Sequence, residues 1–126
     1  MIYGIGTDLI LVARVRKVLQ RFGARFARRI LCDEELLELR ESRVPERFLA
    51  KRFAAKEAFS KAIGTGIRRP VTWRYIRIGH DSSGKPIIEP HPALAEFMRE
   101  RHIGAHHVSI TDEQDLAAAV VVLERG

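Results

Sequence analysis

The stretch Pro45-Glu46-Arg47-Phe48-Leu49-Ala50-Lys51-Arg52-Phe53-Ala54-Ala55-Lys56-Glu57-Ala58-Phe59-Ser60-Lys61-Ala62-Ile63-Gly64-Thr65-Gly66 decides the fold. No other part of the chain carries so long an unbroken helical pattern. Proline stands in the first turn, where its missing N–H is no loss, and good helix formers fill the interior. Gly64 and Gly66 then stop the run. The reading is a long central helix over 45–63.

Toward the N-terminus, Met1 to Leu11 is apolar and β-prone, with glycines at Gly4 and Gly6, and reads as a first strand. Val12 to Ile30 places Val12, Val15, Val18, Leu19 and Phe22 at helical spacing, with a break or bend at Gly23. Asp33 to Arg40 is a further helix with Asp33 near its start. Toward the C-terminus, Val71 to Gly79 reads as a strand, Asp81-Ser82-Ser83-Gly84 as a turn and Lys85 to Glu89 as its partner strand. Pro92 to Ile103 reads as a helix closed by Gly104. His106 to Thr111 and Leu116 to Leu123 are strands joined through Thr111-Asp112-Glu113-Gln114-Asp115. Strands joined by short turns pair antiparallel. The fold class is therefore α+β: a small single domain over 1–126 with an antiparallel sheet packed on the long helix.

Composition narrows the function. With 126 residues, 46% of them apolar, the chain can build an ordinary core without staples. Cys32 is the only cysteine, so no internal disulfide is possible and a reducing compartment fits. No apolar run approaches the ~20 residues of a membrane span. The first fifteen residues lack a basic leader and are interrupted by Asp8, so no signal peptide is read there. The expectation is a cytoplasmic protein that does not enter membranes. A net charge of +6 suggests an anionic partner, be it nucleic acid, a phosphorylated small molecule, an acidic protein or a membrane surface.

Four features could carry chemistry. On the long helix, Ala54, Glu57, Ala58 and Lys61 share one patch, so a carboxylate and an ammonium lie one turn apart between methyl groups. A solvated Glu–Lys pair at this spacing is common and worth roughly 0.2–0.5 kcal/mol; a working pair is the alternative. Gly64-Thr65-Gly66 could turn amides toward a phosphate, or simply cap the helix. It lacks the Gly-Lys-Ser/Thr of a P-loop. Asp8, inside an apolar strand, needs a metal, a cation or a helix amide, or serves as an N-cap. Finally, no acidic residue lies between Asp8 and Asp33, while Arg14, Arg16, Lys17, Arg21, Arg25, Arg28 and Arg29 all do. Such a run repels itself. An acidic partner would relieve it; a solvated face is the other reading. His102, His106 and His107 match no standard zinc spacing and read as surface or strand-end residues.

Taken together, these pieces resemble the holo-acyl-carrier-protein synthase family of phosphopantetheinyl transferases. Ile5-Gly6-Thr7-Asp8-Leu9 resembles that family's first motif, and the run from Arg52 to Gly66 is similar to its signature almost residue for residue. Gly84-Lys85-Pro86, His107-Val108-Ser109-Ile110 and the alanine- and valine-rich last strand follow in the right order. The resemblance implies a 4'-phosphopantetheinyl transferase-like fold and transfer of phosphopantetheine from coenzyme A to a serine of an acidic acyl carrier protein. It implies magnesium held by Asp8 and Glu57. Lys61 would neutralise charge on the pyrophosphate, and Glu57, directly or through a water, would take the serine proton. Gly64, Thr65 and Gly66 would hold phosphate; Arg52, Lys85 and Pro86 would contact the adenosine end. Arg14 is the best-matched carrier-binding position, with Arg21, Arg25 and Arg28 added by charge and spacing. The family forms trimers with active sites between subunits, so Asp8 and Glu57 could come from different chains. Where many members carry a histidine after the Ser-Ile-Ser/Thr strand, this chain has Asp112. A nucleic-acid-binding module would also fit the charge, but aromatics are only 7% and no RNP, KH or helix-turn-helix pattern is present. A coenzyme A-binding regulator without turnover is a further alternative.

Overall fold

The computed structural model describes residues 1–126. In chain order the elements are β1 (Ile2–Leu11), α1 (Val12–Phe22), α2 (Ala24–Ile30), α3 (Asp33–Glu41), α4 (Pro45–Ile63), β2 (Ile76–His80), β3 (Pro86–Pro90), α5 (Pro92–Glu100), β4 (Ile103–Glu113) and β5 (Leu116–Arg125). All strand pairing is antiparallel: β1-β5-β4 form one sheet, and β2-β3 form a hairpin. The α+β expectation and the central helix hold. Sequence alone did not reveal that the first strand pairs with the last, with Asp8 opposite Ala119.

Helix α4 runs the length expected of it, with Pro45 in its first turn and Gly64 in the left-handed conformation (φ 89°) at its end. Its core stripe is Leu49, Arg52, Lys56, Phe59 and Ile63, all buried, at the 3-4-3-4 spacing that keeps one side of a helix facing inward. Two of those five positions are basic. A second stripe, Ala54, Ala58 and Ala62, lies under β1. A Cβ added at Gly4 would stand 1.9 Å from the Ala62 carbonyl oxygen, and one at Gly6 would stand 1.9 Å from that of Ala58. Strand and helix touch through backbone, which is possible only because both partners are tiny. The larger core cluster joins α4 to Val71, Ile76, Ile78, Leu94, Val108 and Val121; the smaller joins Leu49 and Ala50 to Val12, Val15, Ile30 and Leu31.

The buried lysine explains how the helices lock together. Lys56 Nζ donates to Ile30 O at 2.7 Å, Trp73 O at 2.8 Å and Glu35 Oε1 at 2.5 Å, using all three of its protons. Glu35 also accepts from the Cys32 and Ile78 amides and from Arg52. Burial alone would raise the Glu35 carboxyl, but Lys56 and the two amides hold it below its ordinary value of 4.5. Burial pushes the Lys56 ammonium below its ordinary value, with Glu35 opposing.

Several boundaries differ from expectation. The strand read over 71–79 begins only at Ile76. Val71 pairs locally with Arg68 across the turn at Pro70, and Trp73–Tyr75 form a short 3-10 turn whose first carbonyl Lys56 holds. Helix α5 ends at Glu100 rather than Ile103, because His102 adopts φ 59° and Gly104 already lies in β4. Both final strands extend beyond their expected limits. Gly23 breaks the α1–α2 run outright, at φ 59°.

Lys56→Met should destabilise the fold by about 3–5 kcal/mol, since it strands a buried carboxylate; adding Glu35→Leu should recover part of that loss. The depressed Glu35 carboxyl stabilises the fold above its unfolded pKa. Stability should therefore decline as pH falls below about 4.5. Thermal melts across pH should show a shallower acid decline in the double variant than in the wild type.

Candidate active site

Close approach of β1 to α4 fixes the site. Gly4, Gly6 and Asp8 alternate onto the strand face that meets the helix, and beyond the two glycines the first side chain on that face is a carboxylate. Asp8 Oδ1 accepts from Lys61 Nζ at 3.2 Å, and the same ammonium donates to Thr7 O at 3.0 Å. The N-cap alternative for Asp8 fails: the residue before α1 is Leu11, with no side-chain cap, and the Val12 amide bonds to Asp115 O instead. Glu57 lies one turn before Lys61 and is half-buried. Its Oε2 accepts from Trp73 Nε1 at 3.2 Å. Glu57 and Lys61 are therefore not a solvated pair: each has a partner on a different element. Asp8 and Lys61 meet within one chain, and Glu57 stands one turn before Lys61 on the same helix.

The Gly64-Thr65-Gly66 turn is more closed than expected. The amides of Gly64 and Gly66 both donate to Ser60 O at 3.2 Å, so they cap the helix and are not free to cradle an anion. Thr65 keeps its amide while its hydroxyl donates to Gly66 O.

A second locus lies toward the other end of α4. A cavity of about 420 Å³ is lined by Glu38, Phe48, Lys51, Arg52, His80, Gly84, Pro86 and Ile110. It gathers Arg52 and Pro86 as expected, and Gly84 with them. Lys85 is exposed beside it, its amide held by Asp81. Arg52, however, is not a free cation. Its guanidinium is buried, donating to Glu35, Glu38 and Ile78 O and lying 4.5 Å from the Phe48 ring centre. It forms a wall of the cavity, and direct contact with an adenosine phosphate is not what its geometry favours. Phe48, Lys51 and His80 were not foreseen. Phe48 and Lys51 could have been, since they stand one turn and one residue before Arg52.

Asp112 pairs with Arg47 at 3.1 Å and Lys51 at 3.6 Å, which anchors β4 to α4. Arg14, Arg21, Arg25 and Arg28 are all exposed and make no ion pair, whereas Arg16 reaches Glu46 and Asp115. His107 pairs with Glu124, and His106 is half-buried, so the histidines form no metal cluster.

The chain belongs to the 4'-phosphopantetheinyl transferase superfamily, whose family model matches residues 4–121. Its relatives include the holo-[acyl-carrier-protein] synthase of Nitrosomonas eutropha, 56% identical over 99% of this chain and 100% of the relative. Among solved structures, the holo-[acyl-carrier-protein] synthase of Neisseria meningitidis matches with a TM-score of 0.97 at 50% identity, covering 99% of this chain and 100% of the other. That of Bacillus anthracis, in complex with CoA (3',5'-ADP), matches with a TM-score of 0.85 at 37% identity, covering 100% and 99%.

Proposed function

We propose that this protein is a holo-acyl-carrier-protein synthase. It moves the 4'-phosphopantetheine of coenzyme A onto a serine of apo acyl carrier protein, releases adenosine 3',5'-bisphosphate, and serves fatty acid biosynthesis in the cytoplasm. The observation that carries this reading is the contact of Asp8 with Lys61, one turn beyond Glu57 on α4, in a chain more than half identical to a protein of that name.

Two carboxylates fit magnesium, which takes one or two from the protein and leaves its other positions to water and substrate phosphate. Asp8 Oδ2 and Glu57 Oε1 are without hydrogen-bond partners, and no three His, Cys, Asp or Glu side chains cluster as a closed zinc site would require. Asp8 and Glu57 would hold the ion, which when bound supplies positive charge to the pyrophosphate oxygens. Lys61 adds a second positive charge there by exchanging Asp8 for a phosphate oxygen, and it stabilises the charge that grows as the bond to the leaving bisphosphate breaks. The carrier serine oxygen attacks the pantetheine-side phosphorus, and Glu57 accepts the serine proton. The adenosine end occupies the cavity between Phe48 and Pro86, with Lys51 and Lys85 at its rim, and the Thr65 amide meets phosphate.

Two surfaces complete the reading. Unpaired Arg14, Arg21, Arg25 and Arg28 form the docking face for the acidic carrier. The sheet face turned away from α4 carries Ile5, Leu9, Leu11, Leu116 and Val120; Leu9 alone is 66% exposed. A contiguous uncovered apolar face of this kind marks an association surface. We assign it to further copies of the chain, in a homotrimer with active sites between subunits.

Mass spectrometry of apo carrier protein incubated with this protein, coenzyme A and magnesium should show the addition of one phosphopantetheine. Asp8→Ala and Glu57→Ala should each abolish it, and the double variant should be no worse than either, since residues acting as a unit are not additive. Lys61→Met should cut kcat more than coenzyme A binding. An unmodified carrier would leave a nucleic-acid module or a non-catalytic coenzyme A binder. Charge reversal at Arg14 and Arg21 together should raise KM for the carrier and spare KM for coenzyme A, and added salt should weaken the wild type more than the variant. Leu9→Asp should turn a species of three chain masses in sedimentation into monomer; an unchanged mass would remove the sheet face from the assembly.

A further inference from the structure

Glu57 is half-buried and makes no ion pair; the one hydrogen-bond partner of its carboxylate is the indole of Trp73, the only tryptophan in the chain. Trp73 is held at three points by one patch of α4, two on its indole and one on its main chain. Phe53 stacks on it, with ring centres 6.3 Å apart and planes at 26°. Lys56 grips its backbone carbonyl at 2.8 Å, and Glu57 takes its N–H at 3.2 Å. Residues 53, 56 and 57 are the i, i+3, i+4 neighbours of a single helix face, so the tryptophan and the carboxylate it touches are positioned by the same turn. Phe53 is itself backed by Phe26, 6.4 Å away on α2.

We infer that Trp73 is a positioning residue for Glu57: its indole N–H fixes Oε2 and leaves Oε1 as the oxygen offered to a cation. This rests on the reading of Glu57 as a magnesium ligand. A glutamate at a helix surface turns about three side-chain bonds, and ordering it at the moment of binding costs free energy. A neutral donor on one oxygen removes much of that freedom without neutralising the carboxylate, as an ammonium would. Lys61, the nearby cation, is engaged with Asp8 and Thr7, so the indole has Glu57 to itself. A phenyl ring in its place would keep the stack on Phe53 and lose the hydrogen bond, which separates the two roles of the side chain.

The test compares wild type, Trp73→Phe and Glu57→Gln, each checked for folding by circular dichroism. Manganese binding is followed by calorimetry in the presence of coenzyme A, alongside steady-state transfer. Trp73→Phe should weaken manganese binding on the order of tenfold, as removal of a partner from a metal-binding carboxylate does. KM for the carrier protein should not move. In wild type, tryptophan emission should shift on adding metal with the same midpoint as the calorimetry, and the shift should vanish in Glu57→Gln. Unchanged or tighter manganese binding in Trp73→Phe overturns the inference alone, leaving Glu57 as ligand. Normal binding and transfer in Glu57→Gln overturns the reading of Glu57 and takes the inference with it. Should Trp73→Phe not fold, a wild-type emission that stays flat through the binding range decides against it.

Discussion

Lys56 and Glu35 meet in the interior with no solvent access, and most of the functional architecture hangs from that contact. The ammonium reaches the end of α2 through Ile30, the start of α3 through Glu35, and the turn before β2 through Trp73. The carboxylate reaches β2 through Ile78 and turns Arg52 toward the cavity wall. A buried ion pair of this kind adds little net stability, because desolvation offsets most of the attraction. What it does here is select an arrangement. Each of the three protons of Lys56 has one acceptor, and any other docking of α2, α3 or the 73–75 turn would leave charge unpaired in the core. An apolar residue at 56 would tolerate several packings.

The pattern along the chain made α4, its boundaries and the antiparallel class legible, because proline, glycine and helix formers act locally. Asp8, Glu57 and Lys61 were legible as chemical candidates, although only the fold shows Asp8 meeting Lys61. The buried pair was hidden by residue type: Arg52 was read as a coenzyme A contact and Lys56 drew no reading of its own, yet both fall in register with Leu49, Phe59 and Ile63. Charged residues on an apolar stripe are the signal to look for, since they are almost never fully buried unless paired. The late start of β2 was illegible for another reason, as it depends on a bond from Lys56 to the Trp73 carbonyl, 17 residues away. Capping by Gly64 and Gly66 was weighed, and the amide count favours it over an anion cradle.

Charge is partitioned by use. Inward cations, Arg52 and Lys56, are saturated by carboxylates and carbonyls, and Arg47 and Lys51 share Asp112. On α1 and α2, Arg14, Arg21, Arg25 and Arg28 face solvent without an ion pair, whereas Arg16 reaches Glu46 and Asp115. Between Asp8 and Asp33 the chain has seven basic residues and no acidic one, so positive charge is concentrated along α1 and α2, where an acidic partner would be drawn.

The contact of Gly4 and Gly6 with the carbonyls of α4 bears on how this site can change over evolutionary time. Because strand and helix are separated by backbone alone, the distance from Asp8 to Lys61 does not depend on which side chains fill the core elsewhere. Repacking of the β2-β3 or α5 layer leaves that spacing untouched. A drifting sequence can thus rewrite most of its interior while carrying the reactive group along as a rigid insert, with two hydrogen atoms on two glycines as the parts that cannot be traded.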